Sequence, residues 1–166
     1  MIGRAGFALG AAICAALLAY AYYLQYVKGL QPCPLCMVQR LFFYAMLFFF
    51  ALGALHGRWE KLWSGLVVLS ALGGAATASR HVWLQSLPPD KVPQCGPDLF
   101  FMLENFPFSR TLEKLLYGSG ECAAVDWQFL GLSIAGWSLV WFVALGLYAL
   151  WLAWASPRRA AATASP

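Results

Sequence analysis

Leu35-Cys36-Met37-Val38-Gln39-Arg40-Leu41-Phe42-Phe43-Tyr44-Ala45-Met46-Leu47-Phe48-Phe49-Phe50-Ala51-Leu52-Gly53-Ala54-Leu55 carries a single charge, Arg40, near its start. At about 1.5 Å of rise per residue, a helix of this length crosses a hydrocarbon core roughly 30 Å thick. Three other stretches, 5–25, 62–79 and 130–154, are comparably long and apolar. With 61% hydrophobic and only 11% charged residues, the chain lies far from the soluble average. The expected fold is therefore all-α: a single membrane domain, 1–166, built as a four-transmembrane-helix bundle.

The segment 80–129 carries most of the acidic residues and most of the prolines, and reads as a long extramembrane loop. Within it Leu112, Leu115 and Leu116 form an apolar stripe between Ser109, an N-cap, and Gly118, a stop signal. With Phe100, Phe101, Phe106 and Phe108 they predict a short interfacial helix lying on the membrane. Arg4 and Ala19-Tyr20-Ala21 imitate a cleaved signal peptide, but the uncharged run exceeds the roughly 7–15 residues of a signal core. The first stretch is read as a retained helix.

Four crossings put both termini and the short loop 57–61 on one side, with Arg4, Arg58, Lys61, Arg158 and Arg159. The other side holds Lys28, Arg40, Arg80, Lys91, Arg110 and Lys114, mostly diluted along the long loop. Because short loops weigh most in the positive-inside rule, the termini are expected in the cytoplasm. The net charge of +4 then serves orientation and contact with the lipid bilayer, and implies no nucleic-acid partner. Ser70, Gly74 and Ala78, and likewise Gly131, Ser133 and Gly136, read as small-residue packing surfaces. Tyr22, Tyr23, Tyr26, Trp127, Phe129, Trp151 and Trp154 read as interfacial aromatic belts.

Of the five cysteines, Cys33, Cys36, Cys95 and Cys122 fall on the non-cytoplasmic, oxidising side. Cys14, mid-helix, reads as a small apolar core residue. Four thiols admit three disulfide connectivities. The Cys-x-x-Cys pair of Cys33 and Cys36 leaves Cys95 and Cys122 to pair in the long loop, and the resting arrangement stays open. Pro32 and Pro34 suit a helix start. The unpaired N–H groups there favour a thiolate, the species that exchanges disulfides. A bridge across so short a loop gains little chain entropy, so the pair suits exchange better than stapling. Zinc normally takes two closely spaced pairs, which Cys95 and Cys122 are not, so no metal site is expected. Arg40, four residues beyond Cys36, shares its helix face. Its cation suits a Cys36 thiolate, although an arginine marking the interface would look the same.

Taken together, Gln31-Pro32-Cys33-Pro34-Leu35-Cys36 with Arg40, the loop cysteines Cys95 and Cys122, and Gly120-Glu121-Cys122 leading to Trp127-Gln128-Phe129-Leu130-Gly131-Leu132 resemble the DsbB family. Members of that family are bacterial inner-membrane proteins that reoxidise the periplasmic thiol oxidase DsbA. The resemblance implies a thiol:quinone oxidoreductase whose partners are a DsbA-like thiol oxidase and the membrane quinone pool, with ubiquinone or menaquinone as electron acceptor. The DsbA–DsbB–quinone relay is itself the known instance of these energetics: so oxidising a protein can be recharged only by a higher-potential acceptor. By the same resemblance Cys95 forms the mixed disulfide with the partner, Cys122 carries the exchange to Cys33, and Cys36 faces the quinone with Arg40 and His81 beside it. Pro34 between the paired cysteines is a departure from the family pattern that would alter the stiffness and potential of the pair. A small transporter or a non-catalytic assembly factor with structural disulfides would fit the helices, but transporters place ionisable residues or broken helices at mid-membrane and only Arg40 approaches that. A bundle of the vitamin K epoxide reductase type runs related chemistry without this motif around Arg40.

Overall fold

The computed structural model describes residues 2–57, 59–88, 107, 120–123, 125 and 127–163. Four helices, α1 (Ile2–Tyr26), α2 (Pro34–His56), α3 (Glu60–Gln85) and α4 (Ile134–Thr163), make up most of it. Each contains a span long and apolar enough to cross a membrane, with mean hydropathy of 1.8, 1.9, 1.4 and 1.8 in chain order. The chain is a four-helix membrane bundle. Cys95, Arg58 and the expected loop helix with its phenylalanines lie outside the described residues.

The helices pack in chain order, α1 on α2, α2 on α3 and α3 on α4. At the end bearing the termini the fit depends on ring against glycine. The Phe50 ring lies where a side chain at Gly10 would stand, and Phe7 does the same at Gly53. Phe142 fills the space over Gly74 and stacks on Phe43 with centroids 4.1 Å apart. Lipid offers no hydrophobic drive between helices, so close backbone approach and dispersion supply the attraction. Cys14 is fully buried in this cluster. Arg4 donates to the carbonyls of Ala54 (2.9 Å) and Leu55 (3.1 Å), satisfying the last turn of α2, and Gly57 ends that helix at φ 59°.

Two boundaries differ from expectation. The polar run Ser79-Arg80-His81 reads as a helix end, yet α3 continues to Gln85, because the run divides between two faces. Arg80 turns outward over the Trp83 ring, 4.3 Å from its centroid, while His81 turns inward. The fourth helix begins at Ile134, not at residue 130. Gln128–Phe129 and Leu132–Ser133 form a hairpin instead, turning through Leu130 (φ 52°) and Gly131 (φ 79°). Two left-handed residues give the turn whose twist matches paired strands. Gly131 is thus a turn residue and not a packing surface. Ser133 caps α4, its Oγ accepting from Gly136 N at 3.2 Å and donating to Gln85 Oε1 at 2.6 Å.

Candidate functional site

Cys33 is the N-cap of α2 and Pro34 its first residue, as the flanking prolines predict. The backbone at Cys33 is extended (φ −67°, ψ 164°), which turns its sulfur back over the helix end to accept from Cys36 N at 3.4 Å. Both thiols are free, and Cys33 Sγ donates to Cys36 Sγ at 3.0 Å. A disulfide needs about 2.05 Å between sulfurs, so roughly one ångström of movement separates dithiol from bridge. Cys33 is nearly buried, whereas Cys36 is more open.

The short helix Gly120–Ala123 sits against α3 and α2 and carries the fully buried Cys122. One donor atom each of Cys33, His81 and Cys122 lie within 4.8 Å of one another. Sulfurs so close can exchange with little backbone movement. The family resemblance implies that Cys122 meets Cys33, but spacing along the chain does not, because it says nothing about where the end of the loop returns. Cys95, expected to pair with Cys122, lies outside the described residues.

Arg40 turns away from the sulfurs toward α1. It donates to Gln25 Oε1 and to Ala21 O (3.2 Å), and lies 5.0 Å from the centroid of the Tyr22 ring. A cation within the membrane is costly unless it is paired, and these contacts engage two of its five N–H donors and one aromatic face. Tyr22 is fixed in turn by a 2.7 Å bond between its hydroxyl and that of Tyr44. Gln25 is a site residue that the sequence reading missed. Its signal was a polar side chain at the outer end of an otherwise apolar span.

His81 is 3% exposed and Gln39 equally buried. His81 Nε2 faces Cys33 Sγ at 3.7 Å, and Nδ1 faces Gln39 Nε2 at 3.1 Å. Gln39 too was missed, although it adjoins Arg40. Cys36, Gln39, Arg40 and His81 all border one cavity of about 390 Å³, whose walls include Leu17, Leu24, Phe43, Trp137 and Trp141. The cavity is lined from all four helices, and α1 and α4 are joined at the other end of the bundle, where Tyr148 Oη donates to Gly6 O at 2.9 Å. A concave, mostly apolar space with a few convergent polar groups is the usual form of a small-molecule site.

A family profile described as "Disulfide bond formation protein DsbB" matches residues 3–152. Curated relatives named "Disulfide bond formation protein B" are similar over most of their length. That of Nitrosococcus oceani is 51% identical over 151 residues, covering 87% of this chain and 88% of the relative. That of Hahella chejuensis is 53% identical over 144 residues (84% and 86%), and that of Methylococcus capsulatus 46% over 158 (93% and 96%). A match of that extent, joined to the four-helix bundle and the clustered cysteines, places the chain in the DsbB family of disulfide bond formation proteins.

Proposed function

We propose that the protein is a quinone-dependent thiol oxidase of the bacterial inner membrane. It makes disulfides by reoxidising a DsbA-like periplasmic thiol oxidase, with both termini cytoplasmic and the cysteines periplasmic. The observation that carries this reading is the placement of Cys36 and Arg40 on one apolar cavity beside a second sulfur, Cys33, 3.0 Å away. Electrons arriving as thiol groups on one side of Cys36 can leave to a lipid-soluble acceptor on the other.

The exchanges balance without any outside oxidant until the last step. A partner thiolate attacks Cys95, and Cys122 leaves as a thiolate. Cys122 attacks Cys33 of the Cys33–Cys36 disulfide, and Cys36 leaves. When the partner's second thiol displaces Cys95, Cys95 attacks Cys122, restoring the loop disulfide and releasing Cys33. The remaining Cys33/Cys36 dithiol closes to a disulfide, passing two electrons and two protons to a quinone, which becomes the hydroquinone. Arg40, held by Gln25 and the Ala21 carbonyl, supplies positive charge at the cavity wall where a quinone oxygen would gain negative charge. A volume of about 390 Å³ with a mostly apolar lining suits a ubiquinone or menaquinone ring.

The test is to give the purified protein a reduced periplasmic thiol oxidase and a soluble analogue of each quinone, and to follow quinone reduction. Turnover coupled to disulfide formation in the partner is expected. No turnover with either analogue would refute the proposal.

A further inference from the structure

His81 lines the cavity, but its two ring nitrogens are engaged elsewhere. Nε2 points at Cys33 Sγ (3.7 Å) and Nδ1 at the Gln39 amide (3.1 Å). Nucleophile, imidazole and orienting amide follow one another in the order cysteine, histidine, amide that papain-like proteases also use. Gln39 is in the second turn of α2 and His81 in the last two turns of α3, so the bond also joins the two helices around the sulfur. Both side chains are 3% exposed. At that burial leaving either the amide or the imidazole unpaired is costly, so each holds the other in place.

The direction of that bond decides what His81 offers. When the Gln39 amide N–H donates to Nδ1, the ring's one proton sits on Nε2, where it meets Cys33 Sγ, with the Cys122 backbone as a second neighbour of the ring. Cys33 Sγ already accepts from Cys36 N at 3.4 Å. Two N–H donors then converge on one sulfur, as donors converge on an oxyanion in acyl transfer. Other titratable groups near the ring are Cys122 from the short helix and Cys36 and Arg40 from α2, while the described hairpin residues contribute none.

We propose that Gln39 is a positioning residue that fixes the tautomer of His81, so that its Nε2–H stabilises the Cys33 thiolate and Cys33, not the quinone, is the group His81 serves. This rests on the exchange sequence above at one step. When Cys95 attacks Cys122, the Cys33–Cys122 bond breaks, the Cys95–Cys122 bond forms, and the electron pair departs on Cys33 Sγ. No net oxidation occurs, and the charge appears where the two N–H groups point.

Nitrogen-15 spectra of the reduced, quinone-free protein in lipid nanodiscs, labelled at histidine, test the proposal. The sequence has two histidines, and His56 lies at the opposite end of α2 beside Leu52 O, so His56→Gln leaves the His81 signals alone. The parent ring is expected to carry its proton on Nε2 and none on Nδ1. Gln39→Leu should release that preference. In a chain whose other cysteines are replaced, it should slow alkylation of Cys33 about tenfold, the loss of one charge-assisted bond. Gln39→Glu, able only to accept, should move the proton to Nδ1. A parent ring protonated on Nδ1, or a Gln39→Leu variant with unchanged spectrum and alkylation rate, would overturn the proposal. The parent spectrum decides even if a variant fails to fold. Neither readout involves a quinone, so absence of quinone turnover would refute the proposed function separately.

Discussion

The two ends of the bundle are built on opposite principles. Toward the termini, rings fill the space left by glycines: Phe50 at Gly10, Phe7 at Gly53, and Phe142 at Gly74 nearer the middle. Toward the cysteines, buried and part-buried polar side chains are paired beside an apolar lining: Gln39 with His81, Arg40 with Gln25, Ser133 with Gln85. One end gains attraction from contact, and the other gives contact up for a cavity and compensates with hydrogen bonds. The difference teaches that a membrane bundle can hold an open chemical site only where another part of the same helices is closely packed.

That contrast predicts a separation of effects, with chemistry lost at one end and stability at the other. Cys36→Ala should lower quinone reduction at least about a thousandfold, since the dithiol can no longer close, yet leave the thermal unfolding midpoint near the parent's. Retained turnover would remove Cys36 from the route. Arg40→Ala should raise the apparent KM for the quinone analogue roughly ten- to hundredfold, the range of a charge-assisted hydrogen bond, with a smaller change in kcat. An unchanged KM would reduce the cation to a marker of the interface. Gly10→Leu should do the reverse. A Cβ there would stand 2.6 Å from the nearest Phe50 ring carbon, so overpacking should cost about 1–3 kcal/mol of stability while turnover per folded molecule is kept. Loss of turnover without loss of stability would break the comparison. The smallest effect is expected at the rim of the site, where Ser133→Ala removes the cap of α4 and should cost about 1 kcal/mol, read as a modest drop in the unfolding midpoint.

The four helices were legible because crossing a membrane imposes length and hydropathy at once. The start of α2 was legible because Pro32 and Pro34 flank the cysteine that caps it. The end of α3 was not, because hydropathy averages Arg80 and His81 together although one faces outward and the other the site. The hairpin was hidden because Phe129-Leu130-Gly131-Leu132 is as apolar as a helix, and Gly131 was the single local sign of a turn. Cys33, Cys36, Arg40, His81 and Cys122 were each named from sequence, and all but Cys122 border the cavity. Gln25 and Gln39 were overlooked, since a glutamine in a helix carries no charge and no motif. Their meaning depends on which neighbour lies opposite, and that is a property of packing.

Cys33 has two tasks, since the sulfur that takes part in exchange is also the atom that closes the end of α2 by accepting from Cys36 N. The helix terminus and the redox couple therefore draw on the same lone pairs. Whenever Cys33 changes between thiolate, thiol and disulfide, the first turn of α2 gains or loses strength in its cap, so the state of the chemistry is also registered in how firmly that turn is wound.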